Sequence, residues 1–140
     1  MNSKRCAPHL PSVGQNSLDK QHRHLLHLVA RIGDCLEDAG DRARILQTNG
    51  DVSNFLTIDL FESSLEHFRC EEELLASFNY PLLEAHRNEH NEFIERLPQF
   101  LSAGILRAID LAGLHGYATD WMARHKLVSD MEYGKFLRGN

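Results

Sequence analysis

Histidines and carboxylates stand in this chain where its helices call for apolar side chains. They run in order as His22, then His67 and Glu71, then His86 and His90, then His125 and Asp130. His67 and Glu71 are four residues apart, and so are His86 and His90. Four residues advance about 400° around an α-helix, so the two side chains of each pair lie some 40° apart and one turn apart in height. Both members can therefore reach one small volume. Each pair also lies on the apolar stripe of its helix. Burying one unpaired polar side chain costs roughly 1–3 kcal/mol, and a charge costs more. Several such groups would consume most of the roughly 5–15 kcal/mol that a domain has. One such pair is commonplace on a surface; two on adjacent helices require a partner. A metal ion satisfies them, and its binding energy adds to folding energy.

The apolar pattern predicts four helices. The first covers about 17–38, with Leu25, Leu26, Val29, Ile32 and Leu36 at the 3.6-residue period and His22 on the same stripe. The second covers 53–78, where Leu56, Leu60, Ser64, His67, Phe68, Glu71 and Leu75 face inward and Asn79-Tyr80-Pro81 breaks the run. Pro81 suits the first turn of a third helix over 81–101, which Pro98 should end or kink. The fourth covers 105–129, with Leu114, Ala118, Trp121, Met122 and His125. Residues 1–16 read as an irregular arm and the tail after Asp130 as loose. Short connections favour an all-α, antiparallel up-down-up-down four-helix bundle. One domain spanning 1–140 is expected at this length.

Composition narrows the function classes. At 42% hydrophobic and 25% charged residues the chain can build a core, and a net charge of -5 offers no basic stripe for nucleic acid. No run approaches 18 apolar residues, so no membrane span is expected. Cys6, Cys35 and Cys70 form no C-x-x-C pair and are odd in number. A disulfide framework is therefore not expected, and a reducing, cytoplasmic setting is. The remaining histidines, His9, His24, His27 and His115, read as solvated surface.

The donor types select the metal. With no cysteine required in the inward set, a tetrahedral thiolate zinc site is not indicated. Imidazole with carboxylate suits iron, and seven donors exceed what one ion uses. Two ions with bridging carboxylates account for the number, and Glu71 and Asp130 are the carboxylates in the series. The five-residue step from His125 to Asp130 does not fit one α-helical face, which would put Asp130 at or past a loosened helix end.

The pieces SVGQNSLDKQH (12–22), HFRCEEELL (67–75), PLLEAHRNEHNEF (81–93) and WMARHKLVSD (121–130) carry a further implication. With a lone His followed by H-x-x-x-E, H-x-x-x-H and H-x-x-x-x-D in this order, the chain resembles the hemerythrin family, of the single-domain bacterial type. The resemblance implies a non-haem di-iron centre. His86, His90 and His125 would hold one iron, and His22 and His67 the other. Glu71, Asp130 and an oxo or hydroxo group would bridge them. Dioxygen would bind reversibly at an open position on the two-histidine iron, for storage, transport or sensing. Leu25, Phe68 and Trp121 match apolar pocket positions of the family. Ser64 stands where an aromatic is familiar and Lys126 where a bulky aliphatic is usual, and the arm lacks the Trp that many bacterial members carry. A small Ser64 would open space beside the pocket, and an inward Lys126 would bring a proton donor near the bound gas. These departures keep open an alternative: a di-iron peroxidase or oxidase, or an enzyme handling nitric oxide. A plain metal store is the third possibility.

Overall fold

The structure, a computed structural model, describes residues 11–39, 51–101 and 110–139. Among these, all regular structure is helical: α1 (Pro11–Ala39), α2 (Asp51–Ser77), α3 (Leu83–Leu101), α4 (Leu111–Arg124), a π-helical turn (His125–Asp130) and α5 (Met131–Gly139). The last three form one continuous rod, so the described residues form four rods. Cross-contacts fix their directions. Gln21 near the start of α1 meets His67 in the second half of α2. Glu71 in that half of α2 meets His86 at the start of α3. Glu89, still early in α3, meets Ser129 late in the fourth rod. Gly33 late in α1 faces His115 early in α4, whereas His22 early in α1 faces Asp130. Each rod therefore runs opposite to the next, and the fourth closes on the first: the up-down-up-down bundle expected from periodicity.

Local chemistry explains the boundaries. α2 ends in a Schellman turn: Tyr80 N–H donates to the Leu75 carbonyl at 3.0 Å and Asn79 N–H to the Ala76 carbonyl at 3.0 Å. Asn79 takes the left-handed conformation that this cap requires, with φ 56°. Asp110 caps α4, its Oδ1 accepting from Gly113 N–H at 3.0 Å. A Cβ on Gly113 would sit 2.4 Å from the Asp110 carboxylate, so glycine there leaves the cap its room.

Several expected limits move. α1 begins at Pro11, so part of the arm is helical; the expected start of the fourth helix at 105 lies outside the described residues. The third helix starts at Leu83, after a turn at Tyr80–Leu82, and runs through Pro98 to Leu101. The tail is not loose. Its helix α5 buries Tyr133 and Leu137 against Leu18, Leu74 and Tyr80, a 133/136/137 apolar spacing hidden among Gly134, Lys135 and Arg138.

The interior has two apolar layers. The larger is built from all four rods around Ile32, Leu60, Phe93 and Leu114. The smaller holds Leu18, Leu74, Leu75, Tyr80, Tyr133 and Leu137. The polar series lies between them. Cys70, in the smaller layer, is disulfide-bonded; this departs from the expectation of unpaired cysteines and removes the thiol argument for a reducing setting. Cys35 is free. No described helix is long and apolar enough to cross a membrane.

Candidate metal centre

The bundle brings the seven residues of the series into one layer. His67, Glu71, His86, His90, His125 and Asp130 are buried and His22 is half-buried. Glu71, His86, His90 and His125 each offer one donor atom within 4.8 Å of the others, and His22, His67 and Glu71 form a second such set.

The two carboxylates divide their oxygens between these sets. Glu71 Oε1 lies 2.8 Å from His86 Nε2, 2.9 Å from His90 Nε2 and 4.0 Å from His125 Nε2. Its Oε2 lies 3.5 Å from His67 Nε2 and 3.8 Å from His22 Nε2. Asp130 Oδ1 is 3.1 Å from His125 Nε2 and 3.3 Å from His86 Nε2, while Oδ2 is 2.9 Å from His22 Nε2. Asp130 gets there without leaving the helix. An i→i+5 turn takes in one residue more than an α turn, so a five-residue step lands where a four-residue step normally does. The expected loosened end is instead a π turn with α-helix on both sides.

Metal fits this layer because its polar atoms are close without being paired. Nε2 of His67, His90 and His125 and both oxygens of Asp130 are buried and make no hydrogen bond. Oxygens stand near them, but the lone pairs converge on shared points instead of aligning donor to acceptor. Buried polar groups are normally satisfied, and a cation at the convergence satisfies them together. Imidazole with carboxylate is a donor set for iron rather than for a thiolate zinc site.

The opposite ring nitrogens are engaged. His90 Nδ1 bonds Glu72 Oε2 at 2.6 Å, His125 Nδ1 bonds Glu89 Oε1 at 2.5 Å, and His67 Nδ1 bonds Gln21 Oε1 at 2.7 Å. Carboxylate and amide oxygens only accept, so Nδ1–H donates outward in each ring and Nε2 is the nitrogen turned to the centre. Ser129 Oγ–H in turn donates to Glu89 at 2.7 Å, and Tyr133 Oη–H donates to Glu71 Oε2 at 2.7 Å. Aromatic faces hold the rings: Phe68 stacks on His90 at 3.9 Å and Trp121 on His125 at 4.4 Å. Sequence reasoning missed Gln21, Glu72, Glu89, Ser129 and Tyr133. Gln21, Glu72 and Glu89 each adjoin a residue of the series in sequence, but all three serve a histidine on another helix.

Charge follows the same geometry. Burial disfavours imidazolium at His67, His86 and His125. At His86 and His125 the Asp130 and Glu71 carboxylates outweigh it and push the rings up to about 9 and about 10. At His67 burial wins and its pKa falls. Burial also opposes ionisation of Glu71 and Asp130, yet the surrounding imidazoles hold both carboxyls well below the usual range.

A cavity of about 20 Å³ opens beside the His22 and His67 set, its walls including Leu25, Phe68, Trp121, Met122 and Lys126. A space of this size holds one or two water-sized molecules. Ser64 does not line it. That residue is fully buried, with its Oγ unpaired, so the expected space next to a small Ser64 is not at this cavity. Lys126 is exposed, and its Nζ lies 3.4 Å from His22 Nδ1.

Comparison with known proteins fits this geometry. The pattern of the hemerythrin HHE cation binding domain matches residues 13–137. A myohemerythrin of Sipunculus nudus is 27% identical over 116 residues, covering 83% of this chain and 79% of the relative. A bacteriohemerythrin of Clostridium acetobutylicum is 26% identical over 123 residues, covering 86% and 92%. A hemerythrin-like protein of Naegleria gruberi is 26% identical over 121 residues, covering 86% and 83%. No solved structure matches the chain.

Proposed function

We propose, from the premise that this chain belongs to the hemerythrin family, that it is a di-iron protein that binds dioxygen reversibly. In this reading His86, His90 and His125 hold one iron and His22 and His67 the other. Glu71 and Asp130 bridge the pair, together with an oxo or hydroxo group. One observation carries the proposal: both carboxylates turn one oxygen toward each histidine set, which a single-ion site has no use for. The ions supply the reversible electron exchange with the gas. The chain supplies the rest. Glu72, Glu89 and Gln21 lock three imidazoles in the ligating tautomer. Tyr133 holds Glu71 Oε2 in place. Leu25, Phe68 and Trp121 wall a space large enough for a diatomic molecule and too small for an organic substrate, and they keep bulk water off it. Storage, transport and sensing of the gas all fit this site.

Lys126 on the cavity wall favours a second reading, an enzyme that delivers a proton to a reduced oxygen species or that handles peroxide or nitric oxide. Metal analysis with an oxygen titration separates the two. Two irons per chain and a visible band that rises with oxygen and vanishes under vacuum support reversible binding. Sustained hydrogen peroxide consumption with an added reductant supports the enzyme. One ion per chain, or zinc alone in iron-replete cells, overturns both.

A further inference from the structure

The polar layer is shut on every side but one. The side chains of His67, Glu71, His86, His90, His125 and Asp130 expose 7% or less, whereas that of His22 exposes 13%. Gln21, Glu72 and Glu89 close the outer edges of His67, His90 and His125. Tyr133 covers Glu71, and Phe68 and Trp121 lie over His90 and His125. The seam between α1 and the fourth rod is different. Next to the small cavity it holds a wider pocket of about 230 Å³, with Asp19 on one side and Met131, Gly134 and Arg138 on the other. Cavity and pocket share three wall residues: His22, Asp130 and Lys126. Resting on the di-iron reading, we propose that this seam is the route by which small molecules reach the cavity, and that Lys126 is its movable gate.

Mobility singles out Lys126 among the three. His22 and Asp130 would be fixed by the ions they hold, so neither can step aside. Lys126 starts on the fourth rod, directly after His125, and reaches across the seam to within 3.4 Å of His22 Nδ1 on α1. That is beyond the usual hydrogen-bond range of about 2.7–3.2 Å, and the residue is exposed, so little holds the side chain in place. Lysine has a flexible four-carbon stem and a strongly hydrated head. Swung outward, the head enters water and the small cavity opens into the wider pocket. Swung back, the stem completes the cavity wall. Rotamer changes of exposed side chains take picoseconds to nanoseconds, so the fraction of time the gate stands open sets the rate of entry. The pocket itself has room: a Cβ on Gly134 would meet only Arg138 Nη1, at 3.4 Å, the tip of a flexible side chain. Leu26 marks the other way in, because it lines the cavity and is 47% exposed. An apolar side chain gains nothing by moving further into water, so Leu26 makes the poorer gate.

Two readouts test the route, and one of them needs no metal. Trp121 is the one tryptophan of the chain and lies on the cavity wall. Quenching of its fluorescence by acrylamide in the full, metal-free chain therefore reports how open the cavity is. Azide, a small anion that ligates ferric iron, reports passage in the iron-loaded chain through its association rate, followed by stopped-flow absorption. The minor state of such an equilibrium holds roughly 0.1–10% of the population, so Lys126→Ala, which removes the gate, should raise the azide rate about tenfold or more. The same variant should raise the acrylamide quenching constant. Lys126→Leu loses the same charge but keeps an apolar side chain over the opening, and it should slow azide and lower quenching. A difference between these two variants is one of bulk, not of charge. Gly134→Phe replaces a poor helix former and fills the outer pocket, so it should slow azide at unchanged iron content. Leu26→Phe should leave the azide rate where it was. Equal azide rates in Lys126→Ala and Lys126→Leu, or quenching unmoved by Lys126→Ala, overturn the gate. Azide slowed by Leu26→Phe and not by Gly134→Phe overturns the seam as the route. Fewer than two irons in the unaltered chain overturn the di-iron reading instead, and the metal-free quenching then decides the gate by itself.

Discussion

At the residue scale the centre is a competition between protons and metal for the same nitrogens. His86 and His125, pushed up to about 9 and about 10 by Asp130 and Glu71, carry protons at neutral pH in the metal-free protein. A dication has to displace them. Apparent affinity therefore rises as pH increases from 6 toward 9, and binding at pH 7 releases protons. Calorimetry in two buffers of different ionisation enthalpy measures the release, and identical heats in both would contradict it. Tyr133 makes a second case. Its hydroxyl is the donor to a carboxylate oxygen on a fully buried Glu71, and burial with the nearby carboxylates drives its own pKa far up, so it stays a donor at any working pH. Tyr133→Phe should cost the metal-free fold about 1–3 kcal/mol, the range for stranding a buried polar group, read as a lower urea midpoint at unchanged slope. The seven-residue series was legible because its members are chemically conspicuous on apolar stripes. Glu72 and Glu89 were not, since a helix-borne glutamate beside a ligand looks like any solvated one until the neighbouring helix is in place.

At the element scale, a helix end and a helix defect position the site. The Schellman turn at Asn79 sets where α3 begins, and so where His86 and His90 face α2. A β-branched residue in the left-handed region costs on the order of 1–3 kcal/mol, whereas glycine enters it freely. Asn79→Val should therefore lower the unfolding free energy by about that amount, and Asn79→Gly should hold it or raise it slightly. Equal midpoints for the two variants would show that the turn does not constrain the fold. The π turn is the other element. The His125–Asp130 spacing pointed to a departure from α-helical geometry, and it suits a frayed end as well as a π turn; the segment beyond Asp130 decides between them. A residue can be absorbed inside a helix only if the helix continues on firm contacts, and Tyr133 and Leu137 provide these. Their spacing is visible in MEYGKFLRGN, but two glycines and three charged residues mask it.

At the scale of the whole molecule, two apolar layers clamp one polar layer, and the cavity lies at the edge of the larger one. Filling that cavity separates metal binding from gas binding. Leu25 is buried on its wall. Leu25→Phe adds more volume than about 20 Å³ leaves to spare, at a strain of roughly 1–3 kcal/mol. The variant should still take up two irons and lose the oxygen-dependent band. A variant that binds gas as before would move the gas site elsewhere.

The linear chain determined the helical period, the number of rods, the donor types and the kind of metal they suit, because each depends on spacing along one helix and on side-chain chemistry. The fold alone decided which oxygen of Glu71 and Asp130 faces which histidines, which acceptors sit behind the rings, that Lys126 lies against His22 and that Ser64 stays away from the cavity. Those are distances between rods. They are set by how four apolar stripes interlock in three dimensions, and no periodicity within a single helix encodes them.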